Sequence, residues 1–205
     1  MTLAEQLARF NSPRQSGTRP PVPRLLLVTD QQRLPDPMAA IARLPVGSGV
    51  LFRHHECPQR ALLARRIARA CREKRLILLV ANDWRLAGAI GADGVHLAEN
   101  LARTGINGPC RWWLRRHRKL LSVAAHSPRA LMQANRLGAD FCLLSPVFPS
   151  NTHPGKPGLG PIRFARSSKL CKIPVLALGG VNQHSWRRLP PASAHGAAAI
   201  DGLSG

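Results

Sequence analysis

The 205-residue chain has no tyrosine, few acidic groups and no long apolar run. Its four tryptophans and five phenylalanines are not interleaved with the basic residues as a base-stacking platform requires, so nucleic acid is not the expected partner. No apolar stretch nears the roughly 20 residues that cross a bilayer, and LILLVA at 76–81 has the length of a strand. A membrane partner is therefore not expected. The five cysteines (Cys57, Cys71, Cys110, Cys142, Cys171) show neither CxxC nor the spacing of a secreted disulfide scaffold. An odd number spread along the chain implies reduced thiols and a cytoplasmic location. No two histidines stand four apart on a helix, which argues against a zinc site. No secretory signal is read ahead of the fold. Residues 1–24 carry Arg9, Arg14, Arg19 and Arg24 against Glu5, a loose likeness to a transit peptide. They are expected to form a short amphipathic helix and a Pro-rich arm over 1–23, followed by one domain over 24–205.

Ten Asp and Glu against 30 Lys and Arg leave a net charge of +20. Such a field favours anionic partners, phosphorylated metabolites among them. The cations are scattered. Arg60, Arg65, Arg66, Arg69, Arg72, Lys74 and Arg75 decorate one expected helix, and Arg111, Arg115, Arg116, Arg118 and Lys119 another. A solvated Arg-rich surface is the plain reading.

From residue 24 apolar runs alternate with helical periodicity. The expected strands are 24–30, 49–53, 75–83, 93–99, 120–127, 140–148, 173–180 and 196–200. The helix at 58–74 is expected to bury Leu62, Leu63, Ile67 and Ala70. Ser127, Pro128 and Gly138 mark the start and stop of another. Continuous apolar strands separated by helices imply a parallel sheet covered on both faces. Eight of them predict an α/β fold, a compact (β/α)8 TIM barrel with short outer helices, since such barrels typically take about 250 residues. No GxGxxG follows the first strand, which counts against a dinucleotide-binding sheet.

In a barrel the chemistry sits at the carboxyl ends of the strands. Those ends carry Thr29 and Asp30, then Arg53, His54 and His55, then Asn82 and Asp83, His96, Glu99, His126 and Ser145. Gly179 and Gly180 end an apolar run without side chains, which suits a phosphate cradle. His126, just before a helix cap, suits proton transfer near a bound anion. Asp83 doubles as a helix-cap candidate, and His96 as a hydrogen-bonded core histidine. At most one of His54 and His55 faces the site. The Gly/Pro segment 150–161, with His153 and Lys156, suits a lid over a phosphorylated ligand.

The blocks LLLVTD, ANDWRLAGAIGADGVHLAE, VAAHS, GADFCLLSPVFPS and IPVLALGGVN together resemble the thiamine phosphate synthase/TenI family over roughly residues 24–200. The resemblance implies a (β/α)8 barrel. It implies either a synthase joining hydroxymethylpyrimidine diphosphate to thiazole phosphate with magnesium, or a metal-free tautomerase isomerising a thiazole carboxylate phosphate. Departures bear on the choice. The synthase motif Gln-x-Arg-x-Lys on strand two keeps only Arg53, within Leu51-Phe52-Arg53-His54-His55. Asp83 matches a magnesium ligand, and Glu99 is the available substitute for the second. The diphosphate-binding serine falls at Ala124, and the Thr-Lys of the strand-six loop reads Thr152-His153, with Lys156 nearby. Gly179, Gly180, Ala198 and Ala199 match the phosphate cradle, and His126 the tautomerase histidine. The resemblance thus favours the tautomerase, with Arg53 or His55 steadying the ligand carboxylate and with Asn82, His153 and Lys156 among the substrate- and phosphate-binding residues. A rebuilt synthase using Asp83, Glu99, Arg53, His153 and Lys156 is the alternative. A non-catalytic protein binding a phosphate ligand or nucleic acid is the third reading. The expected ligand is a phosphorylated thiazole or pyrimidine, and a homodimer is compatible with the sequence.

Overall fold

In the computed structural model, which describes residues 3–11, 13, 19–149 and 157–200, eight short apolar runs form eight strands. They are β1 (Leu25–Val28), β2 (Gly49–Phe52), β3 (Ile77–Ala81), β4 (Gly94–Leu97), β5 (Leu120–Ala125), β6 (Phe141–Leu144), β7 (Val175–Leu178) and β8 (Gly196–Ala199). Each pairs in parallel with the next, and β8 closes on β1 through Leu26↔Ala198. The (β/α)8 barrel read from the sequence is therefore the observed fold. Strands buried on both faces need no polar alternation, which is why the runs are continuous.

The connecting helices are α2 (Met38–Arg43), α3 (Arg60–Glu73), α4 (Trp84–Ala89), α5 (Glu99–Thr104), α6 (Gly108–Arg116), α7 (Pro128–Leu137), α8 (Gly160–Lys169) and α9 (Gln183–Trp186), after an N-terminal α1 (Leu3–Ala8). Several are one or two turns long, which fits a barrel into so short a chain. Among the described residues no helix is long and apolar enough to cross a membrane.

Every strand is shorter than the apolar run that predicted it, and the buried stripe of α3 also changes. α3 buries Ala64, Ile67, Ala68 and Cys71, while Leu62 is 53% exposed. Small side chains let this helix lie close against the strands, and the larger Leu62 falls outside that stripe. β5 ends at Ala125 rather than at 127, because Ser127 already accepts the Ala130 amide at 3.2 Å as the cap of α7.

Two apolar regions result. One lies between strands and helices and includes Phe52, Ile67, Val80, Leu131 and Phe164. The other fills the barrel interior with Leu26, Ile77, Leu120, Phe141 and Leu176, each 0–1% exposed. Val22, from the segment before β1, packs against that interior cluster. The segment is tied down by Asn11, whose Oδ1 accepts the Arg24 amide at 3.0 Å, and by Arg24, which donates to the His195 carbonyl at 3.0 Å. The amino-terminal end of the barrel is thereby covered.

Candidate active site

A cavity of about 760 Å³ opens at the carboxyl ends of the strands. Its wall at β7 and β8 is Gly179, Gly180, Val181 and Asn182, with Ala198, Ala199 and Ile200 beside them. Gly179 and Gly180 have φ of +91° and +63°, a region that glycine enters without penalty. They also lack room for a side chain. A Cβ on Gly180 would lie 2.4 Å from the Pro149 carbonyl oxygen, and one on Gly179 would lie 2.9 Å from Pro146. The bare turn is thus required by the chain of residues 146–149 passing over it, besides leaving backbone open toward the cavity. Asn182 then caps α9, accepting the His184 and Ser185 amides at 2.9 and 3.0 Å.

The opposite wall comes from β2. Arg53 and His55 line the cavity, whereas His54 turns away. His54 is 1% exposed, stacks on Phe52 and shares a 3.0 Å hydrogen bond with Thr29 Oγ1. That hydroxyl also accepts the Arg53 amide at 3.0 Å, so Thr29 shapes the wall without reaching the ligand space. Asp30 accepts the Gln32 and Arg33 amides at 3.1 Å and forms only a loose 3.9 Å ion pair with Arg53. Burial, and then the charges of Arg60 and Arg53, lower the pKa of His55.

His96 and Ser145 belong to the deeper part of the cavity. His96 is 6% exposed, and its Nδ1 lies 2.8 Å from Ser122 Oγ. It is both a hydrogen-bonded core histidine and a lining residue. Above it, α5 brings Glu99 against His126. One carboxylate oxygen, Oε2, accepts the His126 backbone amide at 2.8 Å and lies 2.7 Å from His126 Nδ1. Both residues line the cavity. Asn82 lines it too, in a left-handed conformation of φ +58°, with Oδ1 accepting the Ala98 amide at 2.8 Å.

Asp83 does not line the cavity. Its Oδ1 caps α4 through the Leu86 amide at 2.9 Å, and its Oδ2 meets Arg60 at 2.6 Å. Arg60 also donates to the His54 and Ala81 carbonyls at 2.7 and 3.2 Å, and its guanidinium lies over the Phe52 ring. The sequence reading placed Arg60 on a solvated face. The fold instead makes it a clamp between β2, β3 and Asp83.

Magnesium needs oxygen ligands free to coordinate. Of the two carboxylates named for it, Asp83 lies outside the cavity with both oxygens taken by a guanidinium and an amide, while Glu99 lines the cavity and meets an imidazole and an amide through Oε2, so the pair does not converge on one ion. Among the described residues no group of three His, Cys, Asp or Glu is placed to hold a metal ion. This donor set does not fit the metal that the synthase resemblance implies.

Arg33, Asn100 and Arg103 also line the cavity, and the sequence reading missed them. Arg103 had a usable signal, since it stands four residues after Glu99 on one helix face. Arg33 lies in a loop, and only the closure of the barrel brings it inward. His153 and Lys156 lie outside the described residues.

A family model described as thiamine monophosphate synthase matches residues 25–203. A putative thiamine-phosphate synthase 2 of Aquifex aeolicus is 28% identical over 194 residues, 89% of this chain and 97% of that protein. A thiamine-phosphate synthase of Geobacillus kaustophilus is 30% identical over 184 residues, 82% of this chain and 78% of that one. The solved thiamine phosphate pyrophosphorylase from Pyrococcus furiosus superposes with a TM-score of 0.68 at 22% identity, covering 86% of this chain and 85% of that one. At that identity the superposition speaks for the fold alone.

Proposed function

The chain belongs to the thiamine monophosphate synthase family, and from that premise we propose that it binds a thiazole phosphate and isomerises the carboxylated thiazole by proton transfer. The observation that carries this reading is the Glu99–His126 pair at 2.7 Å. A carboxylate only accepts hydrogen bonds, so Nδ1 of His126 carries the hydrogen and Nε2 is left to accept a proton. Glu99 orients the ring and stabilises the imidazolium once it forms, the arrangement that makes a general base. The same bond engages Oε2 of the carboxylate named as the second metal ligand.

The ligand phosphate then rests against Gly179–Gly180 and the Ala198–Ala199 backbone, the usual place for phosphate in a barrel, at the loops after strands seven and eight. Arg53 and His55 face it across the cavity and hold the carboxylate. His126 removes a proton at one atom of the thiazole and returns it at another. One bond to hydrogen breaks, a double bond of the thiazole shifts and another bond to hydrogen forms; no σ bond between heavy atoms breaks, so no leaving group needs stabilising.

Relatives that carry the synthase name favour a second reading, condensation of a pyrimidine diphosphate with thiazole phosphate. Conversion of the thiazole isomer followed by NMR, with and without a chelator, separates the two. The proposal expects conversion that the chelator leaves unchanged. It expects His126→Asn to lower the rate by roughly 10²–10⁴, the usual worth of general acid–base catalysis, with ligand affinity retained. Failure of the wild type to isomerise, beside magnesium-dependent formation of thiamine phosphate, overturns it in favour of the synthase.

A further inference from the structure

The barrel carries a second charged surface that this chemistry does not use. α6 starts at a cap, Asn107 accepting the Cys110 amide at 2.9 Å, and contains the run RWWLRR over 111–116. Helical spacing buries Trp113 and Leu114 and leaves Arg111, Trp112, Arg115 and Arg116 exposed. Trp112 is 64% exposed and meets His117 edge-on, with ring centres 6.1 Å apart. The sequence reading found no aromatic residue set among basic ones as a stacking surface; on α6 the fold exposes one tryptophan beside three arginines.

A hollow of about 470 Å³ is lined by Arg111, Trp112, Arg115 and Arg116 with Gly108. A second, of about 660 Å³, shares Arg111 and Arg115 and continues past Arg118 and Lys119 toward the amino-terminal ends of β5 and β6. One carboxylate lines it, Asp140. Its two oxygens are taken by Arg19 and by the Leu121 amide. Arg111, Arg115, Arg116 and Arg118 therefore face the joined hollows, and the one lining carboxylate is already engaged by Arg19 and an amide.

We infer that this face binds single-stranded nucleic acid, with a base stacked on Trp112 and successive phosphates along Arg111, Arg115 and Arg118. An exposed indole flanked by guanidinium groups offers a stacking surface that any unpaired base fits. Two hollows joined through shared arginines suit a strand better than a lone anion. A membrane surface would need more apolar contact than one ring supplies.

The test is fluorescence anisotropy of a labelled 20-nucleotide oligouridylate with the full chain. The strand is expected to bind, with affinity falling by roughly 0.7 power of salt concentration for each phosphate neutralised. Arg111→Glu with Arg115→Glu is expected to weaken binding at least tenfold and to flatten the salt dependence. Trp112→Ala is expected to weaken it about tenfold, within the range for loss of one stacked base, and to leave the salt dependence unchanged. Arg65→Glu with Arg66→Glu on α3 makes the same charge change on another face and is expected to alter affinity less than threefold. Isomerisation rate and thermal melting report that each variant is folded. Equal weakening by the α3 pair overturns the inference, since bulk charge would then explain binding. So does equal affinity for duplex, displacement by free uridine monophosphate, or binding to phosphatidylserine vesicles without binding to the strand.

Discussion

Burial, followed by the positive charges of Arg53, His55 and His126, pushes the pKa of His96 down to about 3. In an unfolded chain the same imidazole titrates near 6.5. Between those values the unfolded chain takes up a proton that the folded one refuses. Stability is therefore fully present above about pH 6.5 and falls as the pH drops toward about 3. His96→Gln, which keeps an amide beside Ser122, is expected to flatten this decline. His55 and His195, both lowered chiefly by burial, retain part of the slope. Urea midpoints at pH 7, 5 and 4 check it, and a variant that declines as steeply as its parent contradicts the assignment. At this scale the sequence reading reached the groups that end strands. His126, His55, Arg53, Asn82 and Glu99 all line the cavity, because a strand end is a position that periodicity reveals. Arg60 was not legible. Its role arises where β2 and β3 bring His54, Ala81 and Asp83 around one guanidinium, and no local spacing encodes that meeting.

Among the elements, the join between β3 and α4 depends on a single carboxylate with two duties. Asp83 caps α4 and holds Arg60, which itself reaches back to the end of β2. Arg60→Met leaves the Asp83 charge and two carbonyls without their partner. The expected loss is about 1–3 kcal/mol, or several degrees in melting temperature for a domain of this size. Asp83→Asn keeps a capping oxygen and is expected to cost less. The two together are expected to cost less than their sum, since both remove one contact. A double-mutant cycle by urea unfolding reads this, and strict additivity would show that the ion pair contributes nothing. Element existence was legible because each strand is a short apolar run with a breaker beside it. Ser127 and Gly138 marked α7 at both ends, and Gly138 does adopt a left-handed φ of +69°. The buried stripe of α3 was less legible, because alanine and cysteine carry a weak apolar signal beside the exposed Leu62.

The whole molecule is asymmetric along the barrel axis. Leu26, Ile77, Leu120, Phe141 and Leu176 fill the interior at one end, and Val22 lies against them. At the other end, glycines, arginines and histidines surround open space. This polarity was legible as far as the strand ends were, but the covering by the N-terminal segment was not. It rests on Asn11 and Arg24 meeting residues far away in the chain, such as Ser48 and His195. Among the described residues the cavity opens at the carboxyl ends of the strands, and its base is packed. Whatever leaves must retrace the path by which its precursor came in, and the two cannot pass each other. Accumulated product is therefore expected to raise the apparent KM and leave the maximal rate untouched. Initial rates measured across a grid of both isomers check this. A mixed pattern, with the maximal rate also falling, would reveal a second resting place where product binds beside substrate.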